Sequence, residues 1–400
     1  MALVDIDIGL TDEERSVRDT CHKFAEEVLR PAGKALDCLE DPAHVIARDS
    51  ILWDVFKQHR ALGLGSFFTN TAMDPVAKAR MMCVVNEELS WGDVGLTISL
   101  GLSEFHHPWI EQSGNAELRE RFCSPDRPTI GCWAITEPDH GSDSLSFTEP
   151  SFRDPKVRAN CIARKDGDDY VINGQKAAWV SNGTIADIAV VFCTLDPGQG
   201  FNGGAVILVP LDLPGVFRPK PLDKIGQRAL NQGEIFFNEV RVPTSYLSVG
   251  PDVYAVALET MLCLGNAGMS QLFIGVARAA LEHAVAYAKE RVQGGVPIFE
   301  HQNVKARLFK MFMKVEAARA LARSTALYLA VNPPSIQHAI AAKVLSTNTA
   351  FEVASEAVQI FGGNGLSREY PIEKIFRDAR AALVEDGCNE LLGLIAGARL

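Results

Sequence analysis

Residues that could do chemistry are concentrated in a few short segments of the 400-residue chain. Threonine and serine hydroxyls can donate hydrogen bonds to a polar ligand, and a carboxylate can accept a proton. Tandem glycines let a backbone N–H group approach a ligand closely. Structural interpretations compete, because Trp179 could belong to the core and Gly362-Gly363 could end a helix. The segments are 134–143, 173–183, 225–243, 288–302, 359–365 and 377–390.

The pattern of apolar residues places these segments in three structural units. Residues 1–131 show a helical period, and Leu10–Glu14 is typical of a capped helix start. Residues 132–244 contain short β-rich runs separated by Gly, Asn, Asp and Pro, which predict a small antiparallel barrel or sandwich. Residues 245–400 return to long helical periods and predict a four-helix bundle. The predicted fold class is therefore α+β and multi-domain.

Individual elements follow from the same periodicities. Helices are predicted at 81–90, 118–122, 269–291, 302–329, 335–361 and 371–382. Strands are predicted at 170–172, 188–193, 205–209, 234–237 and 240–242. The segments 134–143 and 173–183 fall within the β-rich unit.

Composition and charge disfavour several classes of protein. The chain is 47% apolar and 22% charged, which is typical of a folded globular protein. Its net charge of -11 and dispersed basic residues disfavour a nucleic-acid partner, so a small-molecule ligand is expected. The nine cysteines are scattered without a C-x-x-C pair, and neither a disulfide framework nor a zinc site is expected. No metal is expected at His106 and His107, which we interpret first as helix caps.

No segment is expected to span a membrane. The longest apolar stretches, 186–195 and 205–213, are broken by Asp, Pro or Gly well short of the ~18 to 20 residues that a span needs. Residues 1–7 carry acidic side chains where a signal peptide would carry positive charge. We therefore expect a cytoplasmic protein.

Three segments of the β-rich unit resemble sequences of the acyl-CoA dehydrogenase family. Ala134–Asp143, AITEPDHGSD, is similar to the signature T-E-x-x-x-G-S-D. Asn173–Gly183, NGQKAAWVSNG, is similar to N-G-x-K-x-W-I-[ST]-N-G with one alanine inserted before Trp179. Ile225–Pro243 is similar to the G-x-R and F-x-x-V-x-V-P that close the family's β domain. The resemblance runs from about Leu10 to the C-terminus and implies that the chain binds FAD.

Two segments of the predicted bundle continue the resemblance. Ala288–Gln302 is similar to the family's E-R-x-x-F-G and x-H-Q, and Gln359–Gly365 is similar to Q-x-[FY]-G-G-x-G. In relatives these residues hold the pyrophosphate and adenine of an FAD across a subunit boundary. A homo-oligomer is therefore implied, with a tetramer expected. Gly294-Gly295 stands where relatives have Phe-Gly, and here the adenine contact departs from the family pattern.

The resemblance also assigns the contacts to the cofactor. The hydroxyls of Thr136 and Ser181 would donate to the polar edge of the flavin, and Trp179 would cover the face of the ring. The implied FAD-binding residues are Trp133, Ile135, Thr136, Gly141, Ser142, Trp179, Ser181, Arg291, Gln302, Gln359, Gly362, Gly363, Cys388 and Glu390.

A carboxylate base near the C-terminus is implied as well. Most relatives carry a glutamate in Y-E-G-T after an R-D-A segment, and counting from Arg377 places Asp386 in that position. Glu385 is the alternative base if the loop shifts by one residue, and a structural role for both acids is a third interpretation. Ser142 and Gly387 are implied to contact the substrate.

Some relatives place the base on the first long helix of the bundle instead. This chain has Gly265-Asn266 at that place and offers no carboxylate there. Asn266 also replaces the arginine usual in relatives, which weakens the expectation of ordinary CoA contacts.

The implied reaction is α,β-dehydrogenation of an acyl-CoA thioester. Asp386 would remove the α-proton while flavin N5 accepts the β-hydride, and an electron-transfer flavoprotein or oxygen would accept the electrons. Asp386–Asn389 is also similar to the D-G-x-N of nitroalkane oxidase, so a flavin oxidase or oxygenase acting on a small carbon acid is an alternative. A non-catalytic scaffold that binds flavin or acyl-CoA is a third hypothesis.

Overall fold

The computed structural model describes residues 9–64 and 73–400 of the chain. Its elements are helical, then β, then helical, which confirms the predicted fold class. Residues 1–7, whose acidic side chains argue against a signal peptide, lie outside the described residues. The unit boundaries at 131/132 and 244/245 stay predictions.

Most of the described helices in the first unit begin at side-chain caps. Thr11 and Glu14 form a reciprocal capping box, with each side chain accepting from the backbone N–H of the other. Asp93 accepts from Leu96 N at 2.9 Å and starts the next helix where the preceding one ends. The helices are α1 (Asp12–Phe24), α2 (Arg30–Asp37), α3 (Ile51–Ala61), α4 (Pro75–Gly92), α5 (Val94–Leu102), α6 (His106–Ser113) and α7 (Ala116–Phe122), and a π-helical turn (Ala25–Leu29) joins α1 to α2.

The second unit is a mostly antiparallel sheet. Its strands are β1 (Gly131–Ala134), β2 (Ile162–Asp166), β3 (Asp169–Ser181), β4 (Ile188–Thr194), β5 (Gly204–Pro210), β6 (Val216–Phe217), β7 (Gln232–Pro243) and β8 (Leu247–Val249). The strand order is β6-β7-β3-β2-β4-β5-β8, and β1 pairs in parallel with β4. Every residue of β4 and β5 is buried, which explains their continuous apolar runs.

Strand β7 differs from the sequence prediction. The predicted strands 234–237 and 240–242 are a single strand, with an irregularity where Asn238 and Glu239 lie opposite β3. Glu239 has φ +53°, the left-handed conformation typical of a bulged residue. The polar break in the sequence therefore marks a bulge and not a turn.

The third unit contains three long helices and two shorter ones. These are α8 (Tyr254–Glu290), α9 (Gln302–Val331), α10 (Ile336–Phe361), α11 (Ile372–Ala381) and α12 (Asn389–Gly397), with a small hairpin of β9 (Val292–Gln293) and β10 (Val296–Pro297) between α8 and α9. Helix α8 begins at Tyr254 and not at the predicted Met269. Gly265 and Gly268 weaken the local helical signal, whereas burial of Leu258 and Leu262 stabilises the first turns.

The segment Pro251–Glu290 is long and apolar enough to cross a membrane by those two criteria. Within its most apolar window, however, 67% of the residues are buried inside the protein. Helix α8 packs against α4, α9, α10 and α11, so its apolar character is accounted for by contacts within the fold.

Candidate active site

The loop between α11 and α12 carries the predicted base. Asp386 and Gly387 both adopt left-handed backbone conformations, with φ of +51° and +92°. A Cβ atom at Gly387 would approach Leu392 Cδ2 to 2.9 Å and Leu145 Cδ1 to 3.2 Å, so both the conformation and the packing favour glycine. The loop is therefore pressed against the segment that contains Leu145.

A hydrogen bond joins this loop to the first signature segment. The backbone N–H of Cys388 donates to Ser142 Oγ at 3.0 Å, across 246 positions of sequence. Ser142 and Gly387, the two predicted substrate contacts, thus lie at the same junction. Since its oxygen accepts from Cys388, the Ser142 hydroxyl keeps its own hydrogen for a further acceptor.

A buried ion pair fixes the signature segment to β3. Lys176 Nζ donates to Glu137 Oε1 at 2.7 Å and to the carbonyl of Ile135 at 3.0 Å. Both side chains are fully buried, and Glu137 also accepts from the backbone N–H groups of Asn160 and Cys161. These contacts on either side of Thr136 fix the backbone from which its hydroxyl projects.

The second signature lies on β3 next to the first. The N–H of Ala177 donates to the carbonyl of Thr136 at 2.9 Å. Gln232 Nε2 on the neighbouring β7 donates to Ser181 Oγ at 3.0 Å, which leaves the Ser181 hydrogen free to donate elsewhere. The Thr136 segment and the strand that carries Ser181 are therefore direct neighbours.

The alanine inserted before Trp179 lies in a bulge of β3. Lys176 pairs with Ile235 and Val180 pairs with Gly233, so three residues of β3 lie opposite one residue of β7. Ala178 has φ +45° within the bulge. The side chain of Trp179 is 57% exposed, an unusual state for an indole.

These residues fit an FAD. The exposed ring of Trp179 lies in the same strand as Ser181 and beside the Thr136 segment, as a surface that covers a flavin would require. The indole N–H of Trp133 is buried and has no hydrogen-bond partner among the described residues. A buried donor without a partner is expensive to maintain, and a bound polar group would satisfy it.

The two acids of the loop have different partners. Gln227 Nε2 donates to Glu385 Oε2 at 2.9 Å. Burial raises the pKa of Glu385 to about 7, and the charge of Asp386 acts in the same direction. Burial also raises the pKa of Asp386, while the ammonium of Lys343 opposes the rise. A raised pKa makes an ionised carboxylate a better proton acceptor.

Comparison with known proteins matches the chain over its whole length. Three family models match: the acyl-CoA dehydrogenase N-terminal domain over residues 11–125, the middle domain over 132–240 and the C-terminal domain over 255–400. The short-chain specific acyl-CoA dehydrogenase of Megasphaera elsdenii is 30% identical over 404 residues, with 99% of this chain and 100% of that one covered. The chain belongs to the acyl-CoA dehydrogenase family.

Solved structures agree with the assignment to this family. The structure of butyryl-CoA dehydrogenase from Megasphaera elsdenii matches with a TM-score of 0.83 and 28% identity, covering 98% of this chain and 99% of that one. A chain in the study of the electron transferring flavoprotein of Acidaminococcus fermentans matches with a TM-score of 0.83 and 28% identity, covering 98% of both chains. As an acyl-CoA dehydrogenase, the protein is an FAD-dependent oxidoreductase that acts on a CH–CH bond.

The remaining cofactor residues predicted from the family lie at one end of the helical domain. Arg291 caps the C-terminus of α8 and Gln302 is the first residue of α9. Gln359, Gly362 and Gly363 end α10, and Gly362 caps it with φ +62°. All five are exposed. No hydrogen bond among the described residues joins them to Thr136 or Ser181.

Aromatic stacking brings these helix ends together. The rings of Tyr287 and Phe361 stack with centroids 4.0 Å apart, which joins the end of α8 to the end of α10. Gly294 and Gly295, where relatives have Phe-Gly, form the turn of the β9–β10 hairpin with φ of +66° and +84°. Two positive φ angles in succession are typical of a type I′ turn, so this departure from the family has a conformational reason.

The alternative place for the base offers no carboxylate in the structure either. Asn266 is fully buried, and its Nδ2 donates to the carbonyl of Leu262 at 2.8 Å. Glu259, less than two turns upstream, forms an ion pair with Arg399 at 2.8 Å. Neither Asn266 nor the paired Glu259 is therefore a free carboxylate at this alternative place.

The structure changes one premise of the expectation that no metal binds at His106 and His107, and the expectation itself stays a prediction. His106 is buried and its Nε2 lies 2.9 Å from the carbonyl of Phe122, the last residue of α7, so it caps that helix. Cys123, however, brings a third candidate ligand atom within 4.8 Å of both imidazoles, a partner that sequence spacing did not indicate. Burial lowers the pKa of His106 to about 4.

Sequence reasoning missed Lys343 and treated Gln227 as structural. Lys343 Nζ donates to the carbonyl of Gly387 at 2.9 Å and to Asn389 Oδ1 at 2.8 Å. The sequence contains a signal for this residue, because Lys343 lies on the apolar stripe of α10 with Ile336, Ala339 and Ile340. A lysine on such a stripe must have a buried partner.

Glu390, also predicted as a cofactor contact, is exposed in the first turn of α12.

Proposed function

We propose that Asp386 removes the α-proton of an acyl-CoA while the bound FAD accepts the β-hydride. The observation that carries this proposal is the position of the acid loop against Ser142 of the signature segment. Glu385 is held by Gln227, whereas no side chain among the described residues donates a hydrogen bond to Asp386. The Asp386 carboxylate is therefore the one available to a substrate.

The chain's own groups would prepare the site for this step. Thr136 and Ser181 would donate hydrogen bonds to the polar edge of the flavin, and Trp179 would cover its face and exclude water. Ser142, with its hydrogen free, would donate to the substrate's acyl-CoA portion. An aspartate is one methylene shorter than the glutamate usual in relatives, a difference on the order of 1 Å, so the loop backbone must bring Asp386 closer to the α-carbon.

The assembly is also part of the proposal. The exposed group of Arg291, Gln302, Gln359, Gly362 and Gly363 would hold the pyrophosphate and adenine of an FAD bound in a neighbouring subunit, which requires a homo-oligomer, with a tetramer expected. An electron-transfer flavoprotein is the proposed acceptor, supported by the match to a chain from a study of such a protein. All nine cysteines are free thiols, which supports a reducing compartment such as the cytoplasm.

Anaerobic reduction of the flavin tests the base directly. The purified holoenzyme is mixed with acyl-CoAs of different chain lengths, and the loss of visible flavin absorbance is followed. Asp386→Ala should slow bleaching by about 10² to 10⁴-fold, the usual contribution of a general base, with FAD content unchanged. Asp252→Ala, which removes an exposed carboxylate ahead of α8, serves as the matched control and should bleach like the wild type.

The alternatives have separate outcomes in the same assay. Equal bleaching by Asp386→Ala would overturn the assignment of the base. Bleaching by nitroalkanes, with steady peroxide formation in air and no response to acyl-CoAs, would instead establish the oxidase. A wild type that bleaches with no compound would support a scaffold.

A further inference from the structure

Lys343 is a buried cation beside the loop that carries the proposed base. Its side chain is fully buried within α10, where the surrounding helix face is formed by alanine, isoleucine and threonine. A buried ammonium is expensive unless each of its hydrogens has an acceptor. Its acceptors come from the active-site loop and not from the helical core.

The contacts of Lys343 fix the backbone immediately after Asp386. Its Nζ donates to the carbonyl of Gly387 at 2.9 Å and to Asn389 Oδ1 at 2.8 Å. Asn389 is oriented for this contact, because its Nδ2 donates to Thr347 Oγ1 and Asn348 Oδ1, each at 3.1 Å. The ammonium therefore binds the segment on which the direction of the Asp386 side chain depends.

This contact holds a backbone conformation that is otherwise unfavourable. Asp386 has φ +51°, and a residue other than glycine persists in the left-handed region only where its surroundings enforce that conformation. Gly387 follows with φ +92°. The hydrogen bond from Lys343 to the Gly387 carbonyl is one such enforcement.

The charge of Lys343 acts on the acids of the loop. The ionisable groups that act on the ammonium are Asp386, Glu385, Cys388 and Glu390, all from the loop and the first turn of α12. Burial lowers the pKa of Lys343 to about 8, and the carboxylates oppose this change. In return, the ammonium opposes the rise that burial causes in the pKa of Asp386.

We propose that Lys343 is a positioning residue for the dehydrogenation: its ammonium fixes the loop that carries Asp386 and places a positive charge against the backbone next to that acid. This inference rests on the proposed role of Asp386 as the base. A purely structural lysine would hold the fold together but would leave the ionisation of the reacting groups unchanged.

The test measures flavin reduction as a function of pH in two variants of the holoenzyme. In Lys343→Met the acid limb of the bleaching rate should move to higher pH by about one unit or more, because burial of Asp386 is no longer opposed. In the wild type the rate should fall above a pH of about 8, where Lys343 loses its proton. Lys343→Arg keeps its charge at any accessible pH, so its alkaline limb should disappear while its acid limb stays in place.

Each result either supports the inference or overturns it. Unshifted profiles in a folded, FAD-loaded Lys343→Met would overturn the positioning role. If Lys343→Met does not fold, the Lys343→Arg variant decides. The positioning role is overturned if the bleaching rate of Lys343→Arg falls at the same alkaline pH as that of the wild type. Lys314→Met, on the half-exposed surface of α9, should leave the profile unchanged. Asp386→Ala, run in parallel, separates the two proposals, since equal bleaching there contradicts the base itself.

Discussion

Two adjacent carboxyl groups in the active-site loop have different surroundings. Glu385 is held by the amide of Gln227, whose own backbone N–H donates to Asp378. Asp386 lies at the left-handed position next to Gly387 and under the influence of Lys343. The geometry therefore favours Asp386 as the base, with Glu385 as a neighbour that repels its charge.

Glu385→Gln should separate the two candidate bases. The charge of Asp386 helps to raise the pKa of Glu385 to about 7, so Glu385 takes up its proton first as the pH falls, and its replacement by a neutral amide should leave the acid limb of flavin reduction in place. The rate at the plateau should stay within about threefold of the wild type, since Gln227 can still bond to the new amide. A loss of bleaching by orders of magnitude would show that Glu385 is the base instead.

The bulge in β3 is the element that exposes Trp179. The inserted alanine gives β3 residues that β7 cannot pair, and Ala178 takes the strained conformation with φ +45°. Left-handed geometry costs an alanine about 1 to 2 kcal/mol. The strand keeps this strained conformation at the place where the flavin ring is proposed to stack. This is consistent with a bulge that changes the direction of a side chain beside an active site.

Ala178→Gly should therefore leave the protein as stable as the wild type or up to about 1 kcal/mol more stable, because glycine adopts positive φ without strain. The matched control is Ala177→Gly, one residue earlier, at a buried position without positive φ. The free energy of unfolding of this control should fall by about 1 kcal/mol, because glycine increases the entropy of the unfolded chain. Both free energies of unfolding come from urea titration of the holoenzyme, and equal losses in the two variants would contradict strain at Ala178.

At the scale of the whole molecule, a buried ion-pair cluster joins the first and third units. Glu87 on α4 accepts from Arg278 of α8 at 2.8 Å, and from Arg319 and Arg323 of α9 at 3.0 and 3.1 Å. The glutamate is 3% exposed, and the three arginines lower its pKa against the effect of burial. The N-terminal helices are thus fixed to the helical domain that carries the active-site loop.

Glu87→Gln should destabilise the protein by up to about 3 to 5 kcal/mol, because it removes the buried carboxylate that three guanidinium groups share, although Arg278 keeps Glu88 and Arg319 keeps Glu316. Glu352→Gln removes a comparable pair with Lys314 at the surface, where both side chains are about half exposed. That loss should be below about 1 kcal/mol. Urea unfolding at one protein concentration, followed by circular dichroism and by flavin fluorescence, measures both. Similar losses in the two variants would argue that the cluster is not stabilising.

Much of the architecture was predictable because it depends on local patterns. The helical and β-rich periodicities located α9, α10, β4 and β5, and the flanking turn residues separated the units. The start of α8 at Tyr254 was missed, since packing of Leu258 and Leu262 outweighs two glycines downstream. The bulge in β7 was interpreted as a break between two strands, because a polar pair has the same local appearance in either case.

By itself, the sequence determined the order of the units, the signature segments and hence the family with its FAD. Only the tertiary structure decided that Ser142 meets the backbone of Cys388, that Glu385 is bonded to Gln227, and that Lys343 reaches the Asp386 loop. The physical reason is the range of the interactions. Periodicity and turn chemistry act over a few residues, whereas these contacts join positions 44 to 246 residues apart and exist only once the sheet and the helices have packed together.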